Sequence, residues 1–123
     1  MKQKIVRIEI FGGELHILHA EDLNKTLEYV NEKYGSDYDE SKESDKALSL
    51  TFEGKDKKHY FFILIKDVCL SHVVHESIHM SWMILKEHYG CDINCENDEL
   101  QCYFVDYLVK NIMDSNGWEE VKD

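Results

Sequence analysis

The residues with the most chemistry in them are His75, Glu76 and His79, in the segment His75-Glu76-Ser77-Ile78-His79. On a helix of about 3.6 residues per turn, histidines four apart project from one face, so both imidazoles can reach a common ion. Glu76 lies on the same side but is turned off the His75–His79 line, where its carboxylate meets a water on the ion and not the ion itself. The pattern predicts a Zn2+ site with His75 and His79 as ligands and Glu76 as general base for a hydrolysis.

A catalytic zinc takes three protein ligands and keeps one position open. A third histidine in the spacing HExxHxxGxxH is excluded, because Trp82 and Leu85 occupy those places. Glu99 is the preferred third ligand. It starts a later helical segment and shares one face with Tyr103 and Asp106, opposite Leu100, Phe104 and Leu108. Asp92, Cys95, Glu96 and Asp98 lie between the two helical segments and stay open as alternatives, and an acidic residue at a helix start is also favoured by the helix dipole alone. His72, His59, Tyr103 and Tyr107 are candidates to stabilise an oxyanion, each of them equally able to serve as ordinary packing. His16, His19 and His88 read as surface or strand histidines. A lone Cys91-x-x-x-Cys95 pair is a weak metal signal without a second pair, and Cys69, Cys91, Cys95 and Cys102 read as free thiols.

Several elements must position these residues. Val6, Ile8 and Ile10 alternate with Arg7 and Glu9, Gly12-Gly13 interrupts, and Leu15 to His19 resumes an extended apolar pattern, which predicts a hairpin. Leu23, Leu27, Val30 and Tyr34 then fall at helical spacing, closed by Gly35. Residues 36–45 are polar and acid-rich and read as an exposed loop. Leu48, Leu50 and Phe52 alternate with polar residues, and after a turn at Gly54 to Lys58 the run Tyr60 to Ile65 is continuously apolar, a second hairpin whose later strand is buried on both faces.

The longest helical segment runs from Val68 or Ser71 to Tyr89, stopped by Gly90, and a last helix spans Glu99 to Met113. Val74, Ile78, Trp82, Leu85 and Tyr89 make an apolar stripe on the first of these, and Val73, Met80 and Ile84 leave it apolar nearly all round. This predicts a largely buried helix, in which His72, His75, Glu76 and His79 would be costly unless a metal satisfied them. The expected architecture is α+β, a single domain over residues 1–123 in the order ββαββαα. Its mixed or antiparallel sheet packs on the buried HExxH helix and the helix after it.

The chain has 123 residues, enough for one core. Its formal net charge of −11 makes the surface repel phosphate and anionic lipid, so neither direct nucleic-acid binding nor membrane binding is expected. The start of the chain alternates charged and apolar residues and does not read as a secretion signal. The apolar run at Tyr60 to Ile65 is far below the roughly 20 residues that cross a bilayer. A cytoplasmic location is expected.

The stretch Val68 to Leu108, about a third of the chain, resembles the gluzincin branch of zinc metallopeptidases. More narrowly, it looks like small HExxH proteins of phages and prophages whose third-ligand helix carries a Glu-x-x-Ala-Tyr pattern. Here that pattern reads Glu99-Leu100-Gln101-Cys102-Tyr103, twenty residues after His79. The resemblance implies a zincin-like fold, Zn2+ held by His75, His79 and Glu99, Glu76 as base, and a peptide or protein as substrate. It departs from many gluzincins in having Tyr103 where an Asp steadies a ligating His, with Asp106 further along. Two other readings stand beside hydrolysis. One is a zinc-binding protein of weak or no turnover that acts by binding other proteins, and the other is an acidic inhibitor that imitates DNA.

Overall fold

The structure is a computed structural model that describes residues 1–8, 13–39 and 46–121. Strands β1 (Lys2–Ile8) and β2 (Gly13–His19) pair antiparallel, and α1 (Leu23–Tyr34) follows. Strands β3 (Ala47–Glu53) and β4 (His59–Ile65) form the second antiparallel pair. Then come α2 (Leu70–Ser81), a π-helical extension over Trp82–His88, α3 (Glu99–Met113) and a short β5 (Glu119–Glu120). The expected α+β class with a mixed sheet holds, while the element order differs from the expected ββαββαα. The π-helical extension and β5 are additions to that order.

The sheet is mixed, in the order β3-β4-β2-β1-β5, because β2 and β4 run parallel with α1 in the connection between them. The α1 boundaries follow local chemistry. Asp22 accepts from the backbone N–H groups of Asn24 and Lys25, and Gly35 ends the helix at φ 88°, a left-handed conformation that costs glycine little. The tip of the first hairpin, with Ile10 and Gly12, and residues 40–45 of the acidic stretch lie outside the described residues. In the part of that stretch that is described, Tyr38 donates its hydroxyl to the Thr51 carbonyl at 2.8 Å.

The sheet separates two cores. Phe61, Ile63 and Ile65 of β4, with Leu15 and Ile17 of β2, face α2 and α3. Phe62 and Leu64, with Leu18, face Leu23, Leu27 and Val30 of α1. Alternate residues of one strand thus enter different cores, which is why Phe61 to Ile65 is uninterrupted apolar sequence. The C-terminal segment is fastened to β1 by Lys4, which is buried. Its Nζ donates to the Asp114 carbonyl at 2.7 Å and lies 5.9 Å from the Trp118 ring centre.

The helix that carries the motif differs from expectation in two ways. Its inward face is Val73, Glu76, Ser77, Met80 and Ser81, not the stripe through Val74 and Ile78, and Ile78 is 43 % exposed. Counting apolar residues overlooks Ser77 and Ser81, which are fully buried, Ser81 on the side of α3, where Gln101 donates to its hydroxyl. The second difference is the loss of α-helical phase after Ser81. The Tyr89 N–H donates to the Ile84 carbonyl five residues back at 3.0 Å, and the Cys91 N–H reaches the Leu85 carbonyl at 2.8 Å. The wider turn brings Ile84 and Leu85 together into the core and leaves Tyr89 exposed. The motif helix is therefore half-buried. Among the described residues, no helix is long and apolar enough to cross a membrane.

Candidate metal centre

Strand β4 leads directly into α2 through the connection Lys66 to Cys69. Cys69 has extended backbone angles and its carbonyl accepts the first helical bond, from the Val73 N–H at 3.0 Å. With Val73, Ser77 and Met80 held against the sheet, His75 and His79 are turned outward, and both are exposed. The cost of burying an imidazole cluster is therefore not what this pair has to meet.

The two rings nonetheless converge. The Nε2 atoms of His75 and His79 are 3.1 Å apart, and the ring planes cross at 71° with centroids 4.7 Å apart. One ring nitrogen donates to the other, or both lone pairs point at one cation. At metal–nitrogen distances of about 2.05 Å a 3.1 Å bite subtends roughly 100° at the ion, close to a tetrahedral angle. The donor pair fits two positions of a zinc site.

Glu76 is only 5 % exposed and faces inward. Its direction differs from that of His79 by about 60° around the helix, as the 3.6-residue repeat requires. Its own carbonyl lies 3.5 Å from the Ser49 hydroxyl, which donates to it from edge strand β3. The motif thus divides across α2, with the imidazoles on the solvent side and the Glu76 side chain buried.

Glu99 is the first residue of α3 and is exposed. The short return between the helices sets α3 antiparallel to α2, and Gln101 Nε2 donates to the Ser81 hydroxyl at 3.1 Å. On that register Tyr103 and Tyr107 come level with His79 and His75, while Glu99 lies about one turn beyond, toward the π-helical extension. Among the described residues, the carboxylate of Glu99 does not join both imidazoles in a group of three ligand atoms within 4.8 Å. Asp92, Cys95, Glu96 and Asp98 are also exposed and also outside such a group.

A different trio does converge. Ligand atoms of Asp67, Cys69 and His72 all lie within 4.8 Å of one another at the start of α2. Cys69 Sγ is 3.4 Å from the Ser71 hydroxyl, and His72 Nδ1 is 3.3 Å from the Asp67 carbonyl. The Ser71 hydroxyl, and next the His72 backbone N–H, hold the Cys69 thiol below its ordinary pKa. Sequence reasoning placed His72 beside the zinc motif and took Cys69 as an ordinary thiol. The available signal was Asp67-x-Cys69-x-x-His72, three donor types within six residues at a strand-to-helix connection.

Of the other candidate residues, His59 packs on His88 with ring centroids 4.4 Å apart and contacts the Thr51 hydroxyl. Tyr107 donates its hydroxyl to the Arg7 carbonyl, whereas Tyr103 is 70 % exposed. His16 is a strand residue, in β2. It is buried, stacked on Phe62 with ring centroids 4.9 Å apart, and its Nδ1 is 2.9 Å from Gln3 Nε2. All four cysteines are free. Comparison of the chain with protein families, characterised proteins and solved structures finds no match.

Proposed function

We propose that the chain is a zinc-dependent hydrolase of peptide bonds, with His75 and His79 as two metal ligands, Glu99 as the third and Glu76 as the general base. The observation that carries this reading is the 3.1 Å convergence of the two Nε2 atoms in a sequence that places Glu76 between them. Bound there, zinc would supply a Lewis acid that acidifies water and polarises a carbonyl. The part of the chain is to hold that ion on His75 and His79 and to accept a proton on Glu76, returning it to the leaving nitrogen. Glu76 is the buried carboxylate of the motif, next in sequence to His75. In this reading Glu99, exposed at the first position of α3, would have to turn its side chain toward His79 to complete the ligand set. The choice of a peptide as substrate rests on the likeness of the Glu99 to Tyr103 pattern to small phage-type metallopeptidases.

The test compares zinc stoichiometry and peptide hydrolysis in three proteins. The unaltered chain is expected to bind zinc at the motif, and the His75→Ala/His79→Ala double variant to bind one equivalent fewer. Glu76→Gln should keep its zinc and lose about 100- to 10,000-fold in hydrolysis. An unchanged zinc count in the double variant would overturn the reading. Equal hydrolysis by Glu76→Gln would remove Glu76 as base.

A second reading, a zinc protein that works by binding and not by turnover, is favoured by one feature. Ile78, Leu100 and Tyr103 are apolar or aromatic side chains of α2 and α3 that remain exposed. Zinc binding without cleavage of any peptide in a library would select it.

A further inference from the structure

We propose that Asp67, Cys69 and His72 form a divalent-metal site of their own at the start of α2, one that takes zinc or a similarly thiophilic ion. This assignment does not depend on the reading of His75 and His79.

Three observations carry it. The first is convergence, because one oxygen, one sulfur and one nitrogen donor lie within 4.8 Å of one another. The edges of a tetrahedral zinc site measure about 3.3–3.7 Å for zinc–ligand distances near 2.0–2.3 Å. A gap of at most about 1–1.5 Å closes by small side-chain rotations, which partial exposure of Cys69 and His72 permits.

The second is donor chemistry. A thiolate with an imidazole selects zinc, cobalt or copper over magnesium and calcium, which prefer all-oxygen sets. Carboxylate and thiolate together carry two negative charges, which balance one divalent ion. The positive end of α2 disfavours a cation but favours the deprotonated thiol that binds it, so the two effects oppose each other at the same place.

The third is support. The Cys69 N–H donates to the Asp67 carbonyl at 2.9 Å, and the same carbonyl lies 3.3 Å from His72 Nδ1. One carbonyl therefore ties the three ligand-bearing residues into a compact arrangement. His72 precedes His75 by three residues, so their Cβ atoms are about 5–6 Å apart and the two sites are neighbours on one helix. Three protein ligands at an exposed place leave a coordination position for water or an incoming ligand.

The test is a Co2+ titration of the full, reduced chain freed of metal, followed by competition with Zn2+. A thiolate-to-cobalt charge-transfer absorption is expected in the near ultraviolet, saturating at one equivalent in the His75→Ala/His79→Ala variant and by two in the unaltered chain, and removed by Zn2+. Cys69→Ser should abolish it, and His72→Ala and Asp67→Asn should each weaken Co2+ binding at least 10-fold. The His75→Ala/His79→Ala variant should keep it in full, which separates this site from the motif. Absence of the band in the unaltered chain, its persistence in Cys69→Ser, or its loss in the double histidine variant would each overturn the proposal. Alkylation of Cys69 by iodoacetamide, read by peptide mass spectrometry in the unaltered chain, gives a measurement free of folding effects. Zinc is expected to slow it at least 10-fold relative to a chelator, and an equal rate would count against the site.

Discussion

His75 and His79 meet at their Nε2 atoms because a four-residue step on α2 stacks them, and nothing beyond that helix is required for the 3.1 Å approach. A third ligand is different in kind, since it has to arrive from another element. Glu99→Gln tests whether it does. Zinc affinity measured against a chromophoric chelator should fall at least about 10-fold, because removing even an outer partner of a metal ligand costs about 10- to 100-fold. Unchanged affinity would move the third-ligand role to Asp92, Cys95, Glu96 or Asp98. A second residue-scale prediction concerns His16. Burial holds its pKa below the ordinary histidine value, with the charge of Glu14 partly opposing. The neutral ring is then the form that folding favours. The stability this confers is present above about pH 6.5 and is lost as the pH falls below it toward the depressed native value. Urea midpoints at pH 7.5 and pH 5 should show this drop, and His16→Gln should have a shallower one.

At the scale of elements, α2 carries its chemistry on one side and its packing on the other. The packing side uses Ser77 and Ser81 where an ordinary amphipathic helix would have larger apolar residues. The Ser81 hydroxyl donates to the Ile78 carbonyl at 2.7 Å and accepts from Gln101, which links α2 to α3. The Ser77 hydroxyl is buried with no hydrogen-bond partner among the described residues. An unsatisfied buried hydroxyl costs about 1–3 kcal/mol, and alanine has nearly the same bulk. Ser77→Ala is therefore expected to stabilise the fold by about 1 kcal/mol, read from urea denaturation. A loss of stability would show that the hydroxyl is satisfied by water. The π-helical extension belongs to this scale too. By changing the phase of the chain after Ser81 it decides how the path from α2 turns back into α3, and so where Glu99 stands relative to His79.

For the whole molecule, 25 acidic residues against 14 basic ones leave a charge of −11. Exposed pairs such as Lys110–Asp106, at 2.9 Å, relieve little of the resulting repulsion. Self-repulsion at this charge is screened by salt. The melting temperature should therefore rise between about 10 mM and 500 mM sodium chloride, where the Debye length falls from about 30 Å to a few ångströms. A melting temperature that falls over that range would mean that attractive pairs dominate the charge balance. The two cores on opposite faces of the sheet account for the sequence of β4, since each of its inner residues serves one core or the other.

Local information in the sequence determined those features that depend on neighbours along the chain. The helical spacing of Leu23, Leu27, Val30 and Tyr34 closed by Gly35 placed α1, the period-two pattern of Leu48, Leu50 and Phe52 placed β3, and the unbroken apolar run placed β4. The facing of His75 and His79 followed from helical spacing alone. What depended on contacts between distant segments was decided only by the fold. The inward face of α2 includes the buried serines Ser77 and Ser81 and not the stripe through Val74 and Ile78, because small side chains fit close contacts with other elements as apolar ones do. β5 is two residues long and exists through its pairing with β1, so it has no pattern of its own to find. Glu99 has a suitable spacing in the chain, but its position is set by how α3 packs on α2. Asp67, Cys69 and His72 come together because the chain turns between β4 and α2, a bend that residue types alone do not specify.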